Sequence, residues 1–415
     1  MYDDDNKMIL NTLYYDTTFN TYENYLNNKI VLNIKGYKSV KNYYYYDIVY
    51  GVVYEQNTVN KITKTECRNK KWKQVMYFGF SMTYEQMNDM IDKAYQNKVT
   101  HIIIPFIELN INNDGTNDSL YIRNDLPLYN WIENFTREQR NSINDKLNSY
   151  NMILLCSFGG SFTFNKTVKG EYVGTQYVLN SPNYQDPYVL AENIVDLLYR
   201  NNIYNIDYDI EHIPDYDDYN SNFEYLVYYF GLLHKHTRKI FMDKYKIKPL
   251  ITGARQTPYF SKRSNYNSYS WNNIYSKIDK YYGMYIDFYN VQFYNQLYYP
   301  YTEYSTIFEH DYLFNASVVE LSKIIPLHKI VVGKIIAEQV DYIPLGFMGY
   351  VVLYDENIKN TMANFVEKTK KSHSKILNKW FKHSGIMVWL YKFTDSIDSN
   401  QSLLNYYNYS GNLHN

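Results

Sequence analysis

Short apolar runs alternate with helix-like stretches along most of the chain, beginning near Lys73. Nearly continuous apolar runs of about four to eight residues are typical of parallel strands that are covered on both faces. Eight such runs follow one another. We predict strands at Gln74–Phe80, His101–Leu109, Met152–Ser161, Tyr204–Glu211, Lys248–Gln256, Tyr285–Gln296, Lys329–Ile336 and Gly385–Phe393.

Helix signals separate these runs. Thr83 with Gln86 and Thr136 with Gln139 have the spacing of capping boxes. Pro187 directly after Asp186 predicts the start of another helix, which runs to about Arg200. Further helices are predicted up to Phe241, from Trp271 to Lys280, from Lys359 to Lys382 and from Ser402 to Tyr407. Eight strands alternating with helices predict a (β/α)8 TIM barrel at residues 73–410, and a doubly wound open sheet is the alternative.

Residues 1–70 have a different character, rich in Asn, Thr and Tyr. The stretches Lys29–Tyr37 and Asn42–Gln56 predict two or three strands, with turns at Gly36 and Gly51. We expect an N-terminal extension or a small β module. A poorly specified extension and a carbohydrate-binding or attachment module both remain open for this segment.

The predicted fourth strand, Tyr204–Glu211, carries three acidic residues at alternating positions. Successive side chains of a strand point to opposite faces, so Asp207, Asp209 and Glu211 share one face. In a poorly hydrated site such a row does not ionise completely, and at least one carboxyl keeps its proton near neutral pH. A general acid arises in this way. A half-exposed antiparallel strand has the same alternation and is the structural alternative.

Composition narrows the classes of partner. The 415 residues include 42 Lys and Arg against 43 Asp and Glu, so a net charge of −1 offers no broad basic field for nucleic acid or an anionic membrane. AT-rich codons explain the total of 52 tyrosines better than function does, although particular tyrosines suit sugar-binding grooves. Two cysteines, Cys67 and Cys156, cannot form a disulfide framework. We identify no secretory signal and no apolar run long enough to span a membrane.

Four segments, in this order along the chain, resemble glycoside hydrolase family 18, especially its plant class III, hevamine-like chitinases. The segment Ser157–Ser161 is similar to the S-x-G-G signature of the third strand, and Tyr204–Glu211 to the D-G-x-D-x-D-x-E signature of the fourth. The segment Gln292–Asn295 resembles the sixth-strand motif, and the region of Trp389 resembles the eighth strand. The resemblance covers residues 73–395.

The resemblance implies a role for each matching residue. In the family the 2-acetamido group of the sugar attacks its own anomeric carbon, an exception to the two-carboxylate scheme. Glu211 would then be the general acid and base, and Asp209 would orient the acetamido nitrogen. Asp207 would share a proton with Asp209, so that the pair titrates as one coupled unit. Tyr294 would donate its hydroxyl to the acetamido oxygen.

Other matching residues would bind the substrate or shape its site. Trp389 would stack under the sugar, Asn295 belongs to the sixth-strand motif, and Gln292 either lines the cavity or satisfies Asp207. Gly159 and Gly160 allow a close backbone approach where the chain leaves a strand, and Ser157 can hydrogen-bond the neighbouring acids. The chemistry requires no metal and no cofactor.

One departure from the family pattern lies at the start of the fourth-strand motif. Tyr204 and Asn205 stand where the family has Asp and Gly. We expect altered packing or tuning of the strand rather than loss of activity.

The leading hypothesis is an endo-acting hydrolase of β-1,4-linked N-acetylglucosamine polymers, with chitin as the first candidate. A chitin- or glycan-binding protein with little or no turnover is the alternative from another class. An endoglycosidase of N-linked glycans or peptidoglycan is a third hypothesis, since it uses related chemistry. In each case the partner is a polysaccharide or oligosaccharide.

Overall fold

The computed structural model describes residues 44–47, 52–55, 72–79, 81–110, 119–160, 167–168, 171–172, 183–210, 216–261, 273–294, 301, 304–335 and 374–391. The chain divides into two units, Met1–Cys67 and Arg68–Asn415. In the first unit, strands Tyr44–Asp47 and Val52–Glu55 form an antiparallel hairpin within the segment predicted to contain strands. The predicted strand Lys29–Tyr37 lies outside the described residues.

The second unit contains eight parallel strands that close into a ring. Each pairs with its neighbours along the sequence, and the first also pairs with the last. This closure confirms the predicted (β/α)8 barrel and excludes the open sheet. The strands are β1 (Lys73–Phe78), β2 (His101–Asn110), β3 (Ile153–Gly159), β4 (Ile206–Asp209), β5 (Ile251–Gln256), β6 (Phe288–Gln292), β7 (Ile330–Ile335) and β8 (Gly385–Tyr391).

Helices follow the strands around the ring. Both predicted capping boxes are present, at Thr83 and Thr136, and the third helix begins at Pro187 as predicted. The described α-helices are α1 (Tyr84–Gln96), α2 (Arg137–Ser149), α3 (Pro187–Arg200), α4 (Tyr216–Tyr245), α5 (Ile274–Tyr282), α6 (Val318–Leu321) and α7 (Lys375–His383). Of the predicted helix Lys359–Lys382, only the part from residue 374 is described, and the predicted helix Ser402–Tyr407 lies outside the described residues.

Shorter elements lie between these. A strand at Ser119–Tyr121 pairs antiparallel with the end of β2, and Thr167–Val168 pairs with Glu171–Tyr172. A single α-helical turn at Pro127–Tyr129 continues into a π-helix at Asn130–Asn134, and a second π-helix covers Ser305–Glu309. Among the described residues, 3-10 helices occupy Thr257–Phe260, Gly283–Tyr285 and Leu327–Lys329.

Several element boundaries differ from the predictions. The strand β5 starts at Ile251 rather than Lys248, in keeping with Pro249, which has no N–H to donate to a strand ladder. The helix α4 continues past Phe241 to Tyr245, and α5 starts at Ile274 rather than Trp271. Paired residues of β4 cover only Ile206–Asp209, so the predicted strand is too long at its start.

Inward-pointing side chains fill the barrel in layers, as is usual for this fold. The buried apolar cluster of the interior includes Val75, Ile103, Leu155, Leu250, Phe288, Val331 and Met387. Toward the carboxyl ends of the strands the interior becomes polar and aromatic. This is the end at which (β/α)8 barrels carry their active sites.

Candidate active site

Asp207 and Asp209 lie inside the barrel on β4, and both are essentially inaccessible to solvent. The residues that alternate with them, Ile206 and Tyr208, are equally buried on the outer face of the strand, beneath the helices. A half-exposed strand would leave one face in water, so that alternative is wrong. The alternation of β4 separates a polar interior from an apolar exterior.

Four side chains from four different strands donate hydrogen bonds to the carboxyl group of Asp207. The hydroxyls of Tyr77 and Ser157 donate to Oδ2 at 2.7 and 3.0 Å. The Thr252 hydroxyl and the Asn290 amide donate to Oδ1 at 2.5 and 3.2 Å. An ionised carboxylate can accept about four such bonds, so the donors match its full capacity.

Burial and hydrogen bonding act on the pKa of Asp207 in opposite directions. Burial raises this pKa above its ordinary value because the charged form loses its hydration. The hydrogen bonds from Thr252, Tyr77 and Ser157, together with the positive charge of Arg255, offset part of the rise. Burial, and after it the charge of Asp207, raise the pKa of the Tyr77 hydroxyl well above its ordinary value. Tyr77 therefore keeps its proton and donates a hydrogen bond to Asp207.

Asp209 lies one inward position further along β4. The amide of Gln292 on β6 donates to its Oδ1 at 3.2 Å. The suggestion that Gln292 serves Asp207 is therefore wrong, because Asn290 occupies that place. Whether the two aspartates share a proton stays a prediction.

The two glycines at the end of β3 allow it to approach β4 closely. Gly159 has φ +120°, and a Cβ there would lie 1.9 Å from the carbonyl oxygen of Asp209. Gly160 has φ +85°, its N–H donates to that same carbonyl at 2.7 Å, and a Cβ would meet the ring of Phe106. No L side chain fits either position without displacement. The glycine pair thus fixes the backbone of Asp209 from the β3 side.

Aromatic side chains lie beside the acids. The half-buried Trp389 on β8 has its ring centroid 4.9 Å from that of Tyr77 and 5.4 Å from that of Phe106. Tyr294, which follows β6, is buried in the same interior cluster as Tyr77. The residues predicted from β3, β4, β6 and β8 therefore meet in one part of the barrel.

Two predicted site residues, Glu211 and Asn295, lie outside the described residues. After β4, the last described residue is Ile210, which is buried. The roles predicted for Glu211 and Asn295 therefore stay predictions.

Tyr204 and Asn205, which depart from the family pattern, lie where the chain enters β4. The Asn205 amide donates to the carbonyl of Leu154 at 2.9 Å, and its oxygen accepts from the N–H of Leu250 at 2.8 Å. Asn205 thus joins the chain before β4 to both neighbouring strands. The Tyr204 ring contacts that of Tyr199. The departure therefore lies at the start of the strand, before the acids, and its predicted effect on packing stays a prediction.

The described part of the chain lacks two features that bear on its possible partners. It contains no cluster of three or more His, Cys, Asp or Glu side chains able to hold a metal ion. None of its helices combines the length and apolar character needed to cross a membrane. Cys156 is a free, buried thiol.

Comparison with known proteins adds information about the fold. No protein-family model matches the chain, and no curated protein matches it. Among solved structures, the Bacillus megaterium spore cortex-lytic enzyme SleL is 14% identical with a TM-score of 0.50, over 81% of this chain and 74% of that one. A fungal endo-β-N-acetylglucosaminidase from glycosyl hydrolase family 18 is 16% identical with a TM-score of 0.48, over 81% and 96% of the two chains. A chitinase of Bacteroides thetaiotaomicron is 15% identical with a TM-score of 0.46, over 82% and 96%.

The barrel is similar in fold to that of SleL. At these identities the similarity concerns the fold. The plant class III branch, to which the sequence motifs point, stays a prediction.

Sequence reasoning did not include three of the four donors to Asp207. Tyr77, Thr252 and Asn290 lie on β1, β5 and β6, and each occupies an inward position. Polar side chains in otherwise apolar predicted strands are the signal that could have identified Thr252 and Asn290. Tyr77 gave no such signal, because it is one tyrosine among 52.

Proposed function

We propose that this protein is a glycoside hydrolase of β-1,4-linked N-acetylglucosamine polymers, with chitin as the first candidate substrate. It cleaves bonds inside the polymer and retains the anomeric configuration. One observation carries the proposal: two buried carboxyl groups, Asp207 and Asp209, lie beside Tyr294 and Trp389 at the carboxyl ends of the barrel strands. The resemblance of the sequence motifs to glycoside hydrolase family 18 supports a substrate that contains N-acetylglucosamine.

The proposed reaction begins with proton transfer from Glu211 to the glycosidic oxygen. As the bond from that oxygen to the anomeric carbon breaks, the acetamido oxygen of the same sugar bonds to the anomeric carbon. The shortened polymer leaves with the proton, and a cyclic oxazolinium ion remains. Both substitutions at the anomeric carbon occur with inversion, so their sum is retention.

Water completes the proposed reaction. The Glu211 carboxylate removes a proton from the water that attacks the anomeric carbon, the ring of the oxazolinium ion opens, and Glu211 is protonated again. Asp209 accepts a hydrogen bond from the acetamido nitrogen and stabilises the positive charge that forms on the acetamido group. Its own negative charge holds the proton on Glu211 before the reaction.

Asp207 acts on Asp209 electrostatically in this scheme, from the preceding inward position of β4. Its four donors hold it in one orientation, so its charge lies at a constant distance from the next inward carboxyl. A fixed electrostatic environment of this kind lowers the cost of reorganisation during the reaction. Trp389 offers its ring to the apolar face of the sugar, and Tyr294 offers its hydroxyl to the acetamido oxygen.

The test compares wild-type protein, Glu211→Gln and the control Glu192→Gln, which changes a glutamate in the middle of α3. Each is incubated with chitotetraose, an N-linked glycan and peptidoglycan, and products are detected by mass spectrometry. We expect wild type and control to cleave chitotetraose, and Glu211→Gln to be slower by at least about a hundredfold. Equal activity of Glu211→Gln and wild type would refute the proposed general acid.

The other outcomes identify the alternatives. Binding of chitotetraose by wild type without any product would identify a glycan-binding protein. Cleavage restricted to the glycan or to peptidoglycan would retain the chemistry and change the substrate.

A further inference from the structure

Arg255 lies on the outer face of β5 and is 1% exposed. Its Nη1 donates to the carbonyl oxygen of Tyr208 at 2.5 Å and to that of Ala254 at 3.1 Å. A Cβ on Gly253 would lie 3.3 Å from the guanidinium carbon, so the glycine leaves the space in which this group lies. Arg255 therefore reaches across from β5 to the backbone of β4.

Tyr275 on α5 contacts both Arg255 and the chain after β4. Its ring centroid lies 4.6 Å from the guanidinium carbon of Arg255, the geometry of a cation–π contact. Its hydroxyl donates to the carbonyl oxygen of Ile210 at 2.5 Å. The two side chains thus touch each other and hold the carbonyls of Tyr208 and Ile210.

These two carbonyls belong to the residues that directly precede the proposed catalytic acids. The carbonyl of Tyr208 belongs to the peptide bond that leads into Asp209, and the carbonyl of Ile210 belongs to the one that leads into Glu211. Between them, the carbonyl of Asp209 accepts from the N–H of Gly160 on the opposite side. Three successive peptide groups are therefore held from two sides, where the proposed catalytic acids follow.

Arg255 carries a positive charge that is buried. Within the part of the chain that the structure describes, no ion pair links Arg255 to a carboxylate, and its guanidinium bonds to carbonyl oxygens. A buried cation without an acidic partner is costly to the fold, so stability alone is a poor explanation for an arginine at this position. Its positive charge also acts on the carboxyl group of Asp207.

We propose that Arg255 and Tyr275 are positioning residues, which fix the peptide groups preceding Asp209 and Glu211 and so set where the two carboxyl groups lie. The inference rests on the proposed function and deepens it. Arg255 lies on the outer face of β5 and Tyr275 lies on α5, so their hydrogen bonds act on the backbone of β4 and its continuation from outside the barrel. Small errors in the placement of reacting groups lower rates strongly, which makes such positioning measurable.

The test compares Tyr275→Phe, Arg255→Lys and Arg255→Met with the control Tyr289→Phe. Tyr275→Phe removes only the hydroxyl bonded to Ile210 and keeps the ring under Arg255. The control removes a hydroxyl that is also buried between strands and helices but bonds to Asp279 on α5. If Arg255→Met does not fold, Tyr275→Phe and Arg255→Lys carry the test.

Two readouts are measured. The first is hydrolysis of chitotetraose, where we expect Tyr275→Phe to lower kcat about tenfold while KM stays within about twofold. In Arg255→Met the acid limb of the pH profile should move to higher pH, because the Arg255 charge lowers the pKa of Asp207. The second is hydrogen exchange of the backbone over residues 204–212, which is independent of activity and should be faster in Tyr275→Phe.

The control should match wild type in both readouts. Unchanged exchange and unchanged kcat in Tyr275→Phe would overturn the positioning role. So would equal losses in Tyr275→Phe and Tyr289→Phe, because the effect would then be a general loss of stability. If wild type hydrolyses nothing, the proposed function fails, and hydrogen exchange still decides whether Tyr275 fixes this segment.

Discussion

Replacing Thr252 tests the hydrogen-bond network of Asp207 most cleanly. Thr252→Val keeps the shape of the side chain and removes the hydroxyl that donates to Asp207 Oδ1 at 2.5 Å. Thr252→Ser is the matched control, because it keeps the hydroxyl and removes one methyl group. Both residues of the bond are fully buried, so water cannot replace the lost donor.

The magnitude follows from the charge of the acceptor. A hydrogen bond to an ionised group contributes about 1.5–3 kcal/mol to folding, so loss of this donor costs about 2 kcal/mol and raises the pKa of Asp207 further. The serine control loses about 1 kcal/mol through the missing methyl group. Near neutral pH the valine variant should therefore be the less stable of the two.

The pH dependence separates the charge from packing. Burial already raises the pKa of Asp207 above its ordinary 3.8, so the folded state binds the proton more tightly than the unfolded state. The unfavourable contribution of the buried charge therefore grows as pH rises above 3.8, and Thr252→Val enlarges it. Toward acid pH both states become protonated and the cost of the valine variant shrinks.

The assay is urea unfolding followed by tryptophan fluorescence. All five tryptophans lie in the unit Arg68–Asn415, so the signal reports on the barrel. We expect the midpoint of Thr252→Val to lie below that of Thr252→Ser at about pH 7.5, and the gap to narrow at about pH 4.5. A gap that does not change with pH would show that Asp207 carries no charge to which Thr252 donates.

Three further changes have definite expected outcomes. Gly159→Ala should lower the unfolding free energy by more than about 2 kcal/mol, because φ is positive there and the added Cβ meets the Asp209 carbonyl. A variant that unfolds at the same urea concentration as wild type would contradict this. Burial raises the pKa of Glu108 to about 7 from 4.5, so its charge destabilises the fold as pH rises through that range. Glu108→Gln should then melt above wild type at about pH 8 and level with it at about pH 5, and a constant difference would refute the reasoning. Burial lowers the pKa of Lys334 to about 7 from 10.5, so wild type should gain stability as pH rises through that range. Lys334→Met should lack part of this gain. Identical profiles of stability against pH for the two proteins would contradict the reasoning.

The fold could be predicted from the sequence because its signals are local. The capping boxes at Thr83 and Thr136 and the proline at 187 begin their helices as predicted. Each depends on residues no more than three positions apart. The strand at Ser119–Tyr121 was not predicted, because its pairing with β2 depends on a partner and not on its own sequence.

The candidate site was predictable only within single strands. The alternation of β4 places Asp207 and Asp209 on one face whatever the neighbouring strands do. Contacts between strands depend on the stagger of the barrel. Asp209 is opposite Ala254, which is opposite Asn290, yet Asn290 donates to Asp207 and Gln292 to Asp209. Tilted strands shift the interior neighbours by about two residues, and a single sequence does not specify that shift.

The central claim is that the substrate's own acetamido group performs the first substitution in this barrel. The most direct measurement is proton NMR of the products formed by wild-type protein from chitotetraose, with the fully deacetylated tetramer as the matched substrate. We predict that the β-anomer of the new reducing end forms first and that the deacetylated tetramer is not cleaved. First formation of the α-anomer, or equal cleavage of both tetramers, would contradict the account.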